Sequence, residues 1–562
     1  MTRTEFRTLI AKSPVLLDGA CAAGCDARGC PEKRALEHFD AVASQLSAYK
    51  DAGSRIIRCP TSGANRFRLD SFGLASETKE INRELMRRCR ETLGDTCVFG
   101  TCSTTGKMIE PFGELDFDEA VACFGEQGRA LVEGGADGFI IETMADIQQA
   151  RAALIALREL GDFPVMVHMV FGSKKRTANG TDPLTAVITL QALGADSVGF
   201  GLYEGAADLA ATIANVKPYA TVPLFAFLSA AGVSADVFAS EGKELVRSGA
   251  NLLGGDAAAS PDHIESLGNR IHAIPSQGPA VKSISALSSV GSTVMVGRNH
   301  PFAVVGERIN PTGKKKLQAN LRECSLAMVE LYATEQQQRK ASVLDVNMGL
   351  SGIDEMVMML RSVHLLSRLS PLPLCIDTTR PEVVEAALRR YPGRALVNSV
   401  SGEKERIEHT LPAAAKYGAM FIALPLTDAG IPATVKERIE VINVIMQAAD
   451  PFGITVDDIV VDGLVMTISS NPKAATDTLD LISWCSDSLR SNTICGLSNV
   501  SFGMPERQWI NGAFLGMAMG RGLTMAIANP SSDSIMATVQ AHDSLMGHNV
   551  EMLARRGVFA GK

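Results

Sequence analysis

Short apolar runs alternate with longer amphipathic segments along almost the whole chain. In the first half the runs are Val15–Asp18, Arg55–Arg58, Thr96–Gly100, Gly138–Ile141, Pro164–His168, Ser197–Gly201, Leu224–Phe227 and Asn251–Gly254. Segments of helical period separate them, such as Ala35–Ala52 and Phe117–Gly134. This is the βα rhythm of a parallel sheet. Eight units in roughly 260 residues is the size of a closed (β/α)8 barrel, with an open doubly wound sheet as the alternative. In the second half the runs are Ala303–Gly306, Val343–Val346, Leu374–Ile376, Ala395–Val397, Met420–Ala423, Ile459–Val461, Cys495–Leu497 and Met525–Ile527, again eight. The fold class expected is therefore α/β, with two (β/α)8 TIM barrels in tandem. The first covers 1–278 and the second 299–562. Between them, 279–298 is small, polar and without a sustained helical period, and reads as an ordered connection. The halves share a rhythm but no motif, so they are not a recent repeat.

Composition narrows the class. A chain of 562 residues, 46% hydrophobic and 21% charged, has the make-up of a soluble protein with large cores. Its net charge of −8 gives no basic footprint for nucleic acid. Met1 to Lys12 mixes charges and has no apolar h-region, so it does not read as a signal peptide. No run of about 18 apolar residues is present to span a membrane. A cytoplasmic location follows as the expectation, with the 12 cysteines as thiols or ligands rather than disulfides. Cys21, Cys25 and Cys30 form the one local cluster, and their spacing fits no common zinc module.

In a barrel, chemistry sits where strands run into the following loops. In the first half those ends carry Asp18, Cys59, Cys102, Glu142, His168, Leu202 and Asp256. Two thiols, an imidazole and carboxylates are possible zinc ligands. Each also has a structural reading. A lone Cys fills core, His168 can bond to backbone, and Glu142 can cap the next helix.

In the second half the ends carry Glu307 and Asn310, Asp345 and Asn347, Asp377, Asn398, Asp462, then Ser498 and Asn499, with Arg507 close behind. Acids and amides dominate. A carboxylate accepts two N–H bonds from an aminopyrimidine edge, and asparagines match mixed donor–acceptor edges. Each of these residues alone could instead cap a helix. The stretch Cys495–Met504 is notable for Ser498, Asn499 and Ser501 in a glycine-bounded loop. An asparagine can donate to, or accept from, a ligand atom that changes protonation.

Motifs in order add a family resemblance. In the first half they are Leu-Leu-Asp-Gly-Ala (16–20), Gly-Ala-Asn-Arg (63–66), Glu-Thr-Met-Ala-Asp-Ile (142–147), His-Met (168–169), Gly-Thr-Asp-Pro (180–183), Leu-Leu-Gly-Gly (252–255) and Ser-Pro-Asp-His-Ile (260–264). They resemble the homocysteine S-methyltransferase barrel of the cobalamin-dependent methionine synthase family. That family binds zinc through three cysteines, and zinc holds homocysteine as a thiolate. Here the corresponding positions are Leu202 and the pair Asp256-Ala257, so all three sulfur ligands are missing. The first loop, Cys21-Ala22-Ala23-Gly24, departs as well.

Homocysteine activation is therefore not carried over, and zinc is left open. Two readings stand for this barrel. It handles another methyl donor or acceptor, with a rebuilt metal site drawn from Cys21, Cys59, Cys102, Glu142, His168 and Asp256. Alternatively, it is a silent scaffold.

In the second half, Gly-Glu-Arg-Ile-Asn-Pro-Thr-Gly-Lys-Lys (306–315), Leu-Asp-Val-Asn-Met-Gly (344–349), Ile-Asp-Glu (353–355), Tyr-Pro-Gly-Arg-Ala-Leu-Val-Asn-Ser (391–399) and Gly-Leu-Ser-Asn-Val-Ser-Phe-Gly-Met-Pro-Glu-Arg (496–507) resemble the pterin-binding domain. The nearest branch is the methyltetrahydrofolate:corrinoid methyltransferases. The resemblance implies that Asp377, Asn398 and Asp462 hold the pterin ring, Asn499 faces N5, and Arg507 helps fix the folate. It implies 5-methyltetrahydrofolate or tetrahydrofolate as ligand and Co(I) of a corrinoid as methyl acceptor. No Asp-x-His-x-x-Gly cobalt-ligand motif occurs, so the cobalamin is expected on a separate corrinoid-binding protein.

The expected function is methyl transfer between methyltetrahydrofolate and that protein. The first barrel would act on a small methylated or methyl-accepting substrate. The alternatives are a methionine synthase-like homocysteine methyltransferase with a non-standard metal site, and a folate-binding or scaffold protein without turnover.

Overall fold

The computed structural model describes residues 1–21, 29–202 and 205–548. Ala22-Ala23-Gly24 and Cys25 of the first loop, and the side chain of Leu202, lie outside that description. The chain divides into two compact units, Met1–Lys282 and Ser283–Lys562.

The first unit is a closed, all-parallel barrel. Its strands are β1 (Val15–Gly19), β2 (Ile56–Cys59), β3 (Cys97–Cys102), β4 (Gly138–Met144), β5 (Val165–Phe171), β6 (Ser197–Leu202), β7 (Leu224–Leu228) and β8 (Ala250–Gly255). Each pairs with the next, and β8 returns to β1. Strands covered outside by helices and filled inside by side chains are buried along their whole length, as β1, β2 and β8 are. The N-terminal helix Arg3–Lys12 closes the base of the barrel. Its Phe6 and Ile10 pack with Leu17, Ile56, Phe99, Ile140, Met166, Phe225 and Leu252. Thr2 and Glu5 start that helix with a reciprocal capping box. The segment expected as one helix, Ala35–Ala52, is two, Pro31–Glu37 and Phe39–Asp51, broken where His38 leaves helical geometry at φ −114° and ψ 38°.

The second unit opens with an antiparallel hairpin, β9 (Ala286–Ser288) and β10 (Thr293–Met295). Its eight parallel strands are β11 (Ala303–Ile309), β12 (Val343–Asn347), β13 (Leu374–Asp377), β14 (Leu396–Ser401), β15 (Met420–Leu424), β16 (Ile459–Asp462), β17 (Asn492–Ile494) and β18 (Met525–Ala528). They run in the order β17 to β11 and then β18. The ring is nearly closed: β17 and β18 meet through the Gly496–Ile527 bridge and the bond from Ile527 N–H to the Cys495 carbonyl, 2.9 Å.

The hairpin floors this barrel. Leu287 and Val296 pack with Val305, Val343, Leu396, Ile422, Val460 and Ile494. Buried Arg394 donates to the carbonyls of Ile284 and Ala286, and the Tyr391 hydroxyl to that of Ser288. The compact unit thus begins inside the stretch read from sequence as a connection.

One strand expectation is corrected. The seventh strand of the second barrel is Asn492–Ile494, not Cys495–Leu497, and Leu497–Asn499 is a single 3-10 turn. Asn492 and Thr493 are polar and stand outside the apolar run. They are buried because partners are supplied from the floor and the neighbouring strand: Asn492 Nδ2 donates to Ser285 Oγ at 2.8 Å, and Thr493 and Thr524, just before β18, bond to one another. Among the described residues no helix is long and apolar enough to cross a membrane.

Candidate functional site

The strand ends of the second barrel bring most of the expected residues to one mouth. On β12, Asp345 and Asn347 are two apart and so share a face. The register sets Asn347 beside Asp377 on β13, and Asp377 beside Asn398 on β14. Side chains join across that register. Asn347 Nδ2 donates to Asp377 Oδ2 at 2.9 Å, and Asn398 Nδ2 to Asp345 Oδ1 at 3.3 Å. In that register Asp345 and Asp377 are diagonal neighbours on one face of β12 and β13. Burial raises both carboxyls above the usual range, and Asp377 raises Asp345 further by charge repulsion.

Asp462 ends β16. Burial pushes its carboxyl up to about 6, although the Leu464 N–H donates to it at 2.7 Å. Glu307, near the end of β11, is raised by burial and opposed by Lys314, Arg308 and Arg507. Asn310 Oδ1 closes a turn onto Thr312 N–H at 3.0 Å and does not cap the helix that starts at Lys315.

Ser498 and Asn499 lie in the turn that follows β17. Arg507, at the start of the helix Arg507–Gly520, folds back over this loop. Its Nε donates to Ser501 Oγ at 3.0 Å, and a terminal nitrogen donates to the Ser498 carbonyl at 2.8 Å. The loop carrying Asn499 is thereby tied to a helix N-terminus. The Asn499 amide is exposed and has no side-chain partner among the described residues.

The mouth of the first barrel is organised differently, around a residue the sequence reading passed over. Arg58 is buried within the ring of strands. It donates to Asp18 Oδ1 (2.8 Å), Glu142 Oε1 (2.5 Å) and the carbonyls of Asp18 (2.9 Å) and Gly255 (2.7 Å). Its guanidinium lies 4.2 Å from the ring centre of Phe227. Burial disfavours the Arg58 charge, but Asp18 and Glu142 outweigh burial and hold its pKa above the ordinary value. Asp18 is fully buried, and burial lifts its carboxyl to about 6 despite Arg58. The available signal was an arginine in the apolar run Ile56-Ile57-Arg58-Cys59: a cation buried there requires anions nearby.

The six residues held as alternative zinc ligands form no metal-holding group among the described residues. Among the described residues no group of three or more His, Cys, Asp or Glu is placed to hold a metal ion. Cys59 Sγ lies 3.7 Å from Cys89 Sγ on the helix Thr78–Leu93, and Cys102 neighbours Cys123 on the helix Phe117–Glu133. Burial raises both strand thiols, which is the opposite of what a thiolate ligand needs. His168 accepts the Thr143 N–H on Nδ1 at 3.2 Å, and burial pushes its pKa down to about 4. Asp256 is occupied by Ser229 Oγ and the N–H groups of Ala230 and Ala258. Glu142 serves Arg58 instead of capping a helix. The first-loop cysteines form no cluster among the described residues, since Cys21 bonds to Gln45 and Cys30 to Glu32. The donor set among the described residues therefore does not fit zinc.

Residues 15–271 match the family model described as homocysteine S-methyltransferase, and residues 306–529 the one described as pterin binding enzyme. The chain thus joins a barrel that matches a methyltransferase family model to one that matches a pterin-binding model. In that order of modules it is methionine synthase-like and corresponds to the N-terminal half of such a protein. It is 24% identical over 541 residues to methionine synthase of Mycobacterium tuberculosis (strain ATCC 25618 / H37Rv), covering 90% of this chain and 45% of that protein. Identity to methionine synthase of Mycobacterium leprae (strain TN) is 24% over 546 residues, with the same coverage. The chain spans less than half the length of these relatives. Among solved structures, the metallated homocysteine methyltransferase MmuM from Escherichia coli is similar over 47% of this chain and 98% of its own, at 18% identity and a TM-score of 0.42.

Proposed function

We propose that the chain is a folate-dependent methyltransferase. Its second barrel moves a methyl group between 5-methyltetrahydrofolate and a corrinoid carried by a separate protein. The observation that carries this reading is the convergence of Asp377, Asn398 and Asp462 at strand ends of one barrel, with the unpartnered Asn499 amide close by in sequence to Arg507. In this reading Asp377, Asn398 and Asp462 hold the aminopyrimidine edge of the pterin. Glu307, Asn347 and Asp345 support them, and Ser498 and Arg507 set the loop. The residues supply what the chemistry asks for. An N5-methyl amine leaves poorly until hydrogen bonding or a proton loads N5 in the transition state. Asn499 meets that charge with a bond that strengthens as it develops, without itself titrating. The corrinoid supplies a Co(I) nucleophile.

The test is to mix the protein with cob(I)alamin and 5-methyltetrahydrofolate and follow the cobalt spectrum by stopped flow. Loss of the cob(I)alamin spectrum at an enzyme-dependent rate is expected. Binding of folate with no spectral change would leave a binding protein without turnover.

Asp462 gives this reading a pH dependence. Its carboxyl, raised to about 6 by burial, must be ionised to accept pterin N–H groups. Folate affinity should therefore hold above pH 6 and fall by up to about tenfold per unit below it, as one proton competes with the ligand. Asp462→Asn should abolish this acid limb in calorimetric titrations, and an identical limb in that variant would contradict the assignment.

For the first barrel, the saturation of Asp18 and Glu142 by Arg58 favours a methylated or methyl-accepting substrate other than zinc-activated homocysteine. Metal analysis of the purified protein should show no stoichiometric zinc. A full equivalent of zinc, with methionine formed from homocysteine, would instead favour a homocysteine methyltransferase with an unusual site.

A further inference from the structure

The Asp345–Asp377 pair poses a charge problem. Asp345 is 3% exposed and packed beneath the mouth of the second barrel. The groups facing it are Glu307 from β11, Cys375 and Asp377 from β13, Asn398 from β14, and Lys314 at the start of the helix Lys315–Arg322. Asp377 also sees Glu355 and Arg406. Lys314 answers mainly to Glu307, and no salt bridge reaches either aspartate among the described residues. Two neighbouring carboxyls on one face, one buried and one half-buried, with no paired cation among the described residues, do not both ionise readily.

The surroundings decide which one keeps the proton. Asp377 is the more exposed of the two, accepts the Asn347 amide and lies nearer Arg406, all of which favour its anion. Asp345 is deeper, and the Asn398 amide is its one hydrogen-bond donor among the described residues.

We propose that Asp345 is the protonated member of a carboxyl–carboxylate pair and, by donating its proton to Asp377, keeps Asp377 an anionic acceptor for the N–H edge of a 2-amino-4-oxopteridine. Asp345 is then a positioning residue. It acts on the ligand through Asp377 and, by accepting from Asn398, through that amide as well. The second half of the inference rests on the folate reading above; the shared proton does not.

The experiment has two readouts. Infrared spectra of the ligand-free protein at pH 7 should show a protonated carboxylic acid band that disappears in Asp345→Asn, with circular dichroism confirming that the variant folds. Calorimetry with 5-methyltetrahydrofolate should then separate the two positions. An amide at 345 still donates to Asp377, so Asp345→Asn should lose no more than about tenfold in affinity. Asp377→Asn, which removes the anion, should lose roughly 100-fold or more. Absence of the band in the wild type, or its survival in Asp345→Asn, would overturn the proposal. So would equal affinity losses in the two variants. A wild type that shows the band and binds no folate would overturn the folate reading and leave the shared proton standing.

Discussion

Asn499→Ala should slow methyl transfer from 5-methyltetrahydrofolate by roughly 100-fold or more, as expected for loss of a hydrogen bond made mainly in the transition state. Affinity for the folate should change much less, because the pterin edge is held by Asp377, Asn398 and Asp462. The fold should be untouched. The amide is exposed and bonds to no other side chain among the described residues, so its removal leaves no buried group unpaired. Stopped-flow rates at saturating folate, set beside calorimetric affinities, separate the two effects. An unchanged rate would refute the role, and a rate loss matched by an equal affinity loss would make Asn499 a binding residue only.

The largest expected effect on stability lies in the other barrel. Arg58→Met removes the cation that both Asp18 and Glu142 depend on, and strands Asp18 at full burial. Removing one partner of a buried pair typically costs about 3–5 kcal/mol. Unfolding of the first unit, followed as its own denaturant transition, should shift by that order. The loss should be smaller at low pH. A buried carboxyl with a raised pKa favours folding below its unfolded value near 3.8, and that benefit fades as pH rises through the folded value. Without Arg58 the folded value rises further, so the variant should be hurt more at pH 8 than at pH 5. Adding Asp18→Asn should recover part of the loss. A shift under about 1 kcal/mol would mean that the acids find water or another partner, and that Arg58 does not organise this mouth.

The two barrels were legible for a physical reason. A parallel strand covered on both sides must be a short apolar run, and fifteen of the sixteen barrel strands overlap such a run in the sequence. The exception shows the limit. Asn492 and Thr493 are polar yet buried, because hairpin and neighbouring-strand groups satisfy them, and a hydropathy pattern cannot see partners supplied from about two hundred residues away.

The same limit divided the candidate sites. In the second barrel the acids and amides sit at strand ends on the inward face, where alternation places them, and the register joins them. In the first barrel Cys59 and Cys102 sit at strand ends too, but their thiols lie against outer helices. Arg58, one residue before Cys59, occupies the mouth instead. A one-residue change of face separates a ligand from a core filler, and no single sequence resolves that at the end of a four-residue strand.

The most direct measurement is a calorimetric titration of the whole chain with 5-methyltetrahydrofolate, run in parallel on Asp377→Ala. The account predicts one folate bound per chain, with affinity reduced roughly 100-fold or more when the Asp377 carboxylate is removed. A wild-type chain that takes up no folate, or a variant that binds it equally well, would contradict the claim that these acids and amides form a pterin site.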